Sequence, residues 1–196
     1  MLKTFTGRVF DYNNITKDSI DISDVMRALP SINRFLGHSM RPYSVAEHTI
    51  RGYNLCCKLG YTPLQKLHWL IHDFTEAYMG DCPTPLKQLL PEFSVYEEKV
   101  EMAILEHLGL EQLTEEEYNL MKRIDSTMLV IEMRDLTLHD YKDYIDENVY
   151  LDMLDDEYSK IGHTTYDNEV TTKTLKYVFN TLMTEVKGES FKCLEI

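Results

Sequence analysis

The stretch Thr62-Pro63-Leu64-Gln65-Lys66-Leu67-His68-Trp69-Leu70-Ile71-His72-Asp73-Phe74-Thr75-Glu76-Ala77-Tyr78 reads as a helix from its first residue. Thr62 and Gln65 have the spacing of a capping box, in which each side chain satisfies a backbone N–H that the first helical turn leaves free. Pro63 falls on the first helical position, where a missing N–H costs nothing. An apolar run then leads into an adjacent His and Asp, and the predicted helix spans 63–78. Burying an Asp in such a run is unfavourable unless a charge offsets it, and a divalent cation would do so. Neighbouring helix positions point about 100° apart, close enough for His72 and Asp73 to converge on one ion.

The same start signal recurs at Ser44-Val-Ala-Glu47, Ser94-Val-Tyr-Glu97 and Thr114-Glu-Glu-Glu117, and Gly60 and Gly109 sit where helices end on glycine. The predicted helices are 45–59, 63–78, 95–108 and 115–137, with weaker ones near 146–160 and 168–186 and a short one at 24–29 ended by Pro30. This is an all-α pattern of six or more helices, expected as a single domain over 1–196 with its core at about 24–186. Ahead of it, β-prone runs from Thr4 to Tyr12 and from Ser19 to Ile22 flank Asn13-Asn14 and predict a small hairpin. The acidic stretch 134–170 reads as a partly helical, solvated surface, and Lys187 to Ile196 as a loose tail.

With 43% hydrophobic residues, 13 Tyr and 7 Phe against 8 Gly and 6 Pro, the composition is that of a folded globular protein. A net charge of −13 argues against long DNA or RNA, whose binding depends on basic residues neutralising phosphates. A small anionic substrate would need a local cation instead. The N-terminus lacks the pattern of a signal peptide and no apolar run approaches the ~18 residues of a membrane span, so a cytoplasmic protein without membrane contact is expected. Cys56, Cys57, Cys82 and Cys193 form no C-x-x-C pair and read as buried or idle thiols. The glycine-rich phosphate loops, the dinucleotide turn and the serine-hydrolase elbow are absent from the sequence.

Two further ligand candidates lie on other predicted helices. His48 is one turn into the helix that follows Ser44, and Asp125 is a lone acid heading the apolar run Met128 to Ile131. Together His48, His72-Asp73 and Asp125 resemble the H…HD…D signature of the HD-domain phosphohydrolase superfamily. Ser44-Val-Ala-Glu-His48-Thr and the run from His72-Asp73 through Glu76 and Gly80-Asp81 to Pro83-Thr-Pro-Leu-Lys87 are similar to segments of bacterial HD-type 5′-deoxynucleotidases. Ile32-Asn-Arg34-Phe35-Leu-Gly-His38 resembles a segment of phage-encoded HD hydrolases, including deoxyadenosine triphosphohydrolases.

The resemblance implies an HD-domain helical bundle in which His48, His72, Asp73 and Asp125 hold a divalent ion. Two imidazoles with two carboxylates suit Zn, Mn, Co or Fe better than bare Mg, which the substrate phosphates would still accept. Glu76, one turn after His72 on the predicted helix, fits either a residue that supports the metal ligands or a proton carrier for the attacking water or the leaving group, and Asp81 is implied as the acid that protonates the leaving oxygen or orients water. Arg34 is the natural phosphate clamp. Phe35 would stack on base or sugar, and His38 and Lys87 are further phosphate contacts. The implied partner is a small-molecule deoxynucleotide, and a homo-oligomer is allowed. The expected activity is hydrolysis of a dATP-type triphosphate to deoxynucleoside and triphosphate. The alternatives are a 5′-deoxynucleotidase acting on monophosphates and a non-catalytic metal- or nucleotide-binding module. The other notable side chains have plainer readings: Glu47 as the partner in the Ser44 capping box, His68 as a packed core histidine, His107 as a helix-end histidine, and His139 and His163 as surface residues.

Overall fold

The computed structural model describes residues 1–155, 160–162 and 167–188. It is all-α, with one small antiparallel hairpin at the N-terminus. The hairpin pairs β1 (Leu2–Lys3) with β2 (Val9–Phe10), and the helices are α1 (Ile22–Ala28), α2 (Val45–Lys58), α3 (Pro63–Ile71), α4 (Glu76–Met79), α5 (Thr84–Lys87), α6 (Pro91–Leu108), α7 (Glu115–Leu136), α8 (Leu151–Leu154) and α9 (Asn168–Lys187). His163, Cys193 and most of the expected C-terminal tail lie outside the described residues, as does part of the predicted helix 146–160.

The centre of the fold is α3, with α2, α7 and α9 packed against it. One side of α3 buries Leu67 and Leu70, together with Phe74 beyond its end, against Leu175, Phe179 and Leu182 of α9 and Val25 and Leu29 near α1. Its other side buries Trp69 against Leu55 and Cys56 of α2 and Ile124, Met128 and Ile131 of α7. Each such side chain contributes on the order of 1.5–3 kcal/mol on leaving water. Helices α2 and α3 touch most closely where Gly52 faces Trp69: a Cβ on Gly52 would lie 2.0 Å from Trp69 Cζ2. Trp69 Nε1 donates to the Thr49 carbonyl at 2.8 Å, so the indole is fixed by shape and by a hydrogen bond.

Of the four predicted capping boxes, three mark helix starts, two of them in full. Thr62 with Gln65 and Thr114 with Glu117 form complete capping boxes, whereas Ser44 accepts from the Glu47 amide without the return bond. The Glu47 carboxylate instead takes both terminal nitrogens of Arg41, at 2.9 and 2.6 Å, and Arg51 Nε at 2.9 Å. Charged donors outcompete a backbone N–H for a buried carboxylate, so the expected box partner is an ion-pair centre. Ser94 does not start a helix: α6 begins at Pro91, whose fixed φ suits the first turn.

Three further expectations change. The predicted helix 63–78 is two helices, because the backbone tightens to three-residue spacing across His72–Glu76, with Phe74 N to Ile71 O and Glu76 N to Asp73 O both at 3.0 Å. His72 Nδ1 lies 2.5 Å from the Trp69 carbonyl, which a regular helix would reserve for the Asp73 amide. The hairpin is present but turns through Thr4 to Arg8, with Gly7 at φ 84°, while Asp11 and Asn14 close a separate turn. Within the predicted helix 146–160 the described part is helical only at Leu151–Leu154.

Candidate metal centre

Side chains from three segments converge at the end of α3. His48 comes from the first turn of α2 and is fully buried. His72 and Asp73 follow α3 in the tightened turn, and Asp125 comes from the middle of α7. His72 Nε2 lies 3.1 Å from Asp73 Oδ1, and His48 Nε2 lies 3.6 Å from Asp73 Oδ2 and 3.5 Å from Asp125 Oδ1. One ligand atom from each of His48, His72 and Asp73 falls within a mutual distance of 4.8 Å, so these three could hold a metal ion. Asp125 stands at the rim, its side chain half exposed.

The donor chemistry fits a cation. His48 Nε2, His72 Nε2 and Asp73 Oδ2 are all buried without a hydrogen-bond partner, an arrangement that buried polar atoms rarely tolerate. Both imidazoles have the other nitrogen engaged, His48 Nδ1 with Glu132 Oε1 at 2.5 Å and His72 Nδ1 with the Trp69 carbonyl at 2.5 Å. A hydrogen on each Nδ1 leaves each Nε2 lone pair free to meet a cation. Trp69 stacks on the His72 ring with centroids 4.2 Å apart and holds its plane.

The electrostatics around the trio are strongly divided. Burial alone would raise the Asp73 carboxyl, but His72, His48 and Arg34 hold it well below the usual carboxylate range. Glu76 goes the other way: burial, with the charges of Asp73 and Asp81, pushes it up to about 10. Its Oε2 is buried and unpartnered. Asp81 is also raised, by burial first and then by the charge of Asp73, with Arg34 opposing. A deprotonated ligand, Asp73, beside a carboxyl group that retains its proton, Glu76, is the division of labour that proton transfer requires.

The segment before α2 is brought back over this cluster. An isolated bridge pairs Asn33 with Ser44, and Arg34 N donates to the Tyr43 carbonyl at 2.9 Å. Arg34 Nε then binds Glu132 Oε2 at 3.1 Å, with a terminal nitrogen 3.8 Å from Asp73 Oδ2. Phe35 and Leu36 both take left-handed backbone angles, φ 56° and 51°, which non-glycine residues hold only when their surroundings impose them. The Arg34 guanidinium sits 5.5 Å from the Phe35 ring centroid. Lys87 Nζ pairs with Glu97 at 2.7 Å and is felt electrostatically by Glu76 and Asp73. His38 is exposed, and no side-chain bond ties it to the cluster among the described residues. His68 is buried, and burial lowers its pKa, as suits a neutral packed imidazole.

Sequence reading missed Glu132, which is fully buried and held below the usual carboxylate range, against its burial, by Arg34 and His48. A signal for it was present: Glu132 interrupts the apolar run after Met128, two helical turns from Asp125 and so on the same face of α7.

Fold and site together define an all-α protein with a buried histidine–aspartate cluster able to hold a cation. No family model matches the chain. It is 42% identical over 140 residues to YfdR of Escherichia coli (strain K12), an uncharacterized protein, across 71% of this chain and 74% of that one. The chain therefore belongs to the same family as YfdR.

Proposed function

We propose that this protein is a metal-dependent phosphohydrolase of the HD-domain type acting on deoxynucleotides. The observation that carries the reading is the convergence of unpartnered buried donors, His48 Nε2, His72 Nε2 and Asp73 Oδ2, with the Asp125 carboxylate at their open side. The resemblance of the segments around them to HD-type nucleotidases supplies the substrate class. A bound divalent ion would polarise a phosphoryl oxygen and acidify an attacking water.

The chain's own residues account for the rest. His48, His72, Asp73 and Asp125 hold the ion. Glu76, protonated at neutral pH by burial and neighbouring charge, carries a proton beside the cluster. Asp81 protonates the leaving 5′ oxygen or orients water. Arg34 and Lys87 are the cations that meet phosphate, which matters in a chain of net charge −13.

The favoured substrate is a dATP-type triphosphate, cleaved to deoxynucleoside and triphosphate. A 5′-deoxynucleotidase acting on monophosphates is the second reading, favoured by the engagement of Arg34 Nε with Glu132, which reduces the donors left for a polyphosphate. Incubation with dNTPs, dNMPs and rNTPs under several divalent metals, with chromatographic separation of nucleoside, phosphate and triphosphate, tests both. Triphosphate release from dATP supports the first reading, and phosphate release from dNMPs alone supports the second. No product under any metal would leave the non-catalytic binding module.

A further inference from the structure

Glu132 is the one fully buried carboxylate among the described residues that touches two separate parts of the candidate centre. Its Oε1 lies 2.5 Å from His48 Nδ1 and its Oε2 lies 3.1 Å from Arg34 Nε, so its two oxygens serve different partners. We infer that Glu132 is the positioning residue that couples the cation site to the phosphate-binding arginine. It holds His48 with its hydrogen on Nδ1 and its lone pair on Nε2, and it anchors Arg34 by Nε alone. This inference rests on the metal reading above.

The chemistry follows from what a carboxylate can do and an amide cannot. An ionised carboxyl accepts at both oxygens, so it takes the hydrogen of an imidazole and the hydrogen of a guanidinium together. The negative charge behind His48 makes its Nε2 a better electron donor, and partners of this kind typically change metal affinity 10- to 100-fold. With Nε bound to Glu132, the terminal nitrogens of Arg34 make no hydrogen bond to described residues; one is 3.8 Å from Asp73 Oδ2. The guanidinium is thereby held by its inner nitrogen and offers its outer edge, the pair of donors that suits a phosphate. A glutamine at this position has one acceptor and one donor. If its oxygen faces His48, its NH2 opposes Arg34 Nε. If it turns over, its NH2 donates to Nδ1 and drives the hydrogen onto Nε2, where the metal must bind.

The test compares wild type, Glu132→Gln and Asp73→Asn by titration with cobalt(II), followed by its visible absorption. The cobalt-saturated forms are then titrated with inorganic phosphate, with Arg34→Ala for reference. Glu132→Gln is expected to weaken cobalt binding about 10- to 100-fold, and to weaken phosphate binding as Arg34→Ala does. Wild type that takes up no cobalt defeats the metal reading and the inference with it. Wild type that binds cobalt, with Asp73→Asn losing it and Glu132→Gln within a factor of two, defeats the inference alone. Should Glu132→Gln fail to fold, long-range ¹H–¹⁵N spectra of zinc-loaded wild type decide the point. A hydrogen-bonded proton on His48 Nδ1 with zinc on Nε2 is expected, and zinc on Nδ1 would overturn the assignment.

Discussion

Asp125 and Glu132, two helical turns apart on α7, approach opposite nitrogens of one imidazole. Asp125 Oδ1 is 3.5 Å from His48 Nε2, and Glu132 Oε1 is 2.5 Å from Nδ1. The first carboxyl is half exposed and the second fully buried, so the candidate centre opens past Asp125 and is sealed behind Glu132. A cation would enter from the α7 rim and meet ligands whose far sides are already hydrogen-bonded.

Asp73 lies against both histidines, so Asp73→Asn should remove bound metal and activity together, while Asp125→Asn at the rim should lose less metal. Elemental analysis of the purified variants reads this directly. Full metal occupancy in Asp73→Asn would remove Asp73 from the ligand set.

Glu76 predicts a pH dependence of the metal-free protein. Its native pKa of about 10 stands above the ordinary 4.5, so between these values the folded form keeps a proton that the unfolded form releases. The associated stability is complete below about pH 4.5 and lost as pH rises to about 10, with a slope of at most ~1.4 kcal/mol per pH unit. Glu76→Gln should flatten that slope and raise stability at pH 8, measured by denaturant unfolding in chelator at several pH values. On the proposed function, the same substitution in the metal-loaded protein, like Asp81→Asn, should lower kcat by ~10²–10⁴ with metal retained. Parallel pH slopes in wild type and Glu76→Gln would place the charge elsewhere.

Arg34 is bound to Glu132 by Nε and stands near Asp73, so removing it strips a partner from a buried carboxylate. Arg34→Ala should cost about 3–5 kcal/mol of stability, the usual result of breaking a buried pair from one side. It should also raise KM, or lower kcat if the contact strengthens as charge develops. Arg34→Lys should restore part of the stability and little of the substrate effect, since a single ammonium cannot hold Glu132 and grip phosphate as a fork. Unchanged kcat/KM in Arg34→Ala would exclude the clamp.

Gly52→Ala tests the α2–α3 contact. The added methyl would meet Trp69 Cζ2 at 2.0 Å, and Trp69 both stacks on His72 and binds its Nδ1 through the carbonyl. Overpacking of this kind costs about 1–3 kcal/mol or more, and here it should also weaken metal binding. Fluorescence of Trp69, the single tryptophan, reports both effects. Wild-type stability in Gly52→Ala would mean the helices have room that this packing does not show.

Helix identity was legible in the chain because its signals are local. Thr62 with Gln65, Thr114 with Glu117, and Gly109 past the end of α6 act within one turn of backbone, so α3, α7 and the end of α6 could be read from residue types alone. The candidate ligands were legible for a related reason: a His and an Asp in an apolar run demand an explanation wherever they fold. What spacing could not show is competition between partners that meet only in three dimensions. The Trp69 carbonyl goes to the His72 ring and ends α3 early; Glu47 abandons its cap for Arg41 and Arg51; Arg34, read as a phosphate clamp, comes to rest against Glu132. Each outcome depends on which charged or polar group is nearest after packing, and that distance is set by helices far apart in the chain. The sequence alone therefore determined most of the helices and nominated candidate ligands, and only the tertiary structure decided that one buried glutamate ties His48 to Arg34.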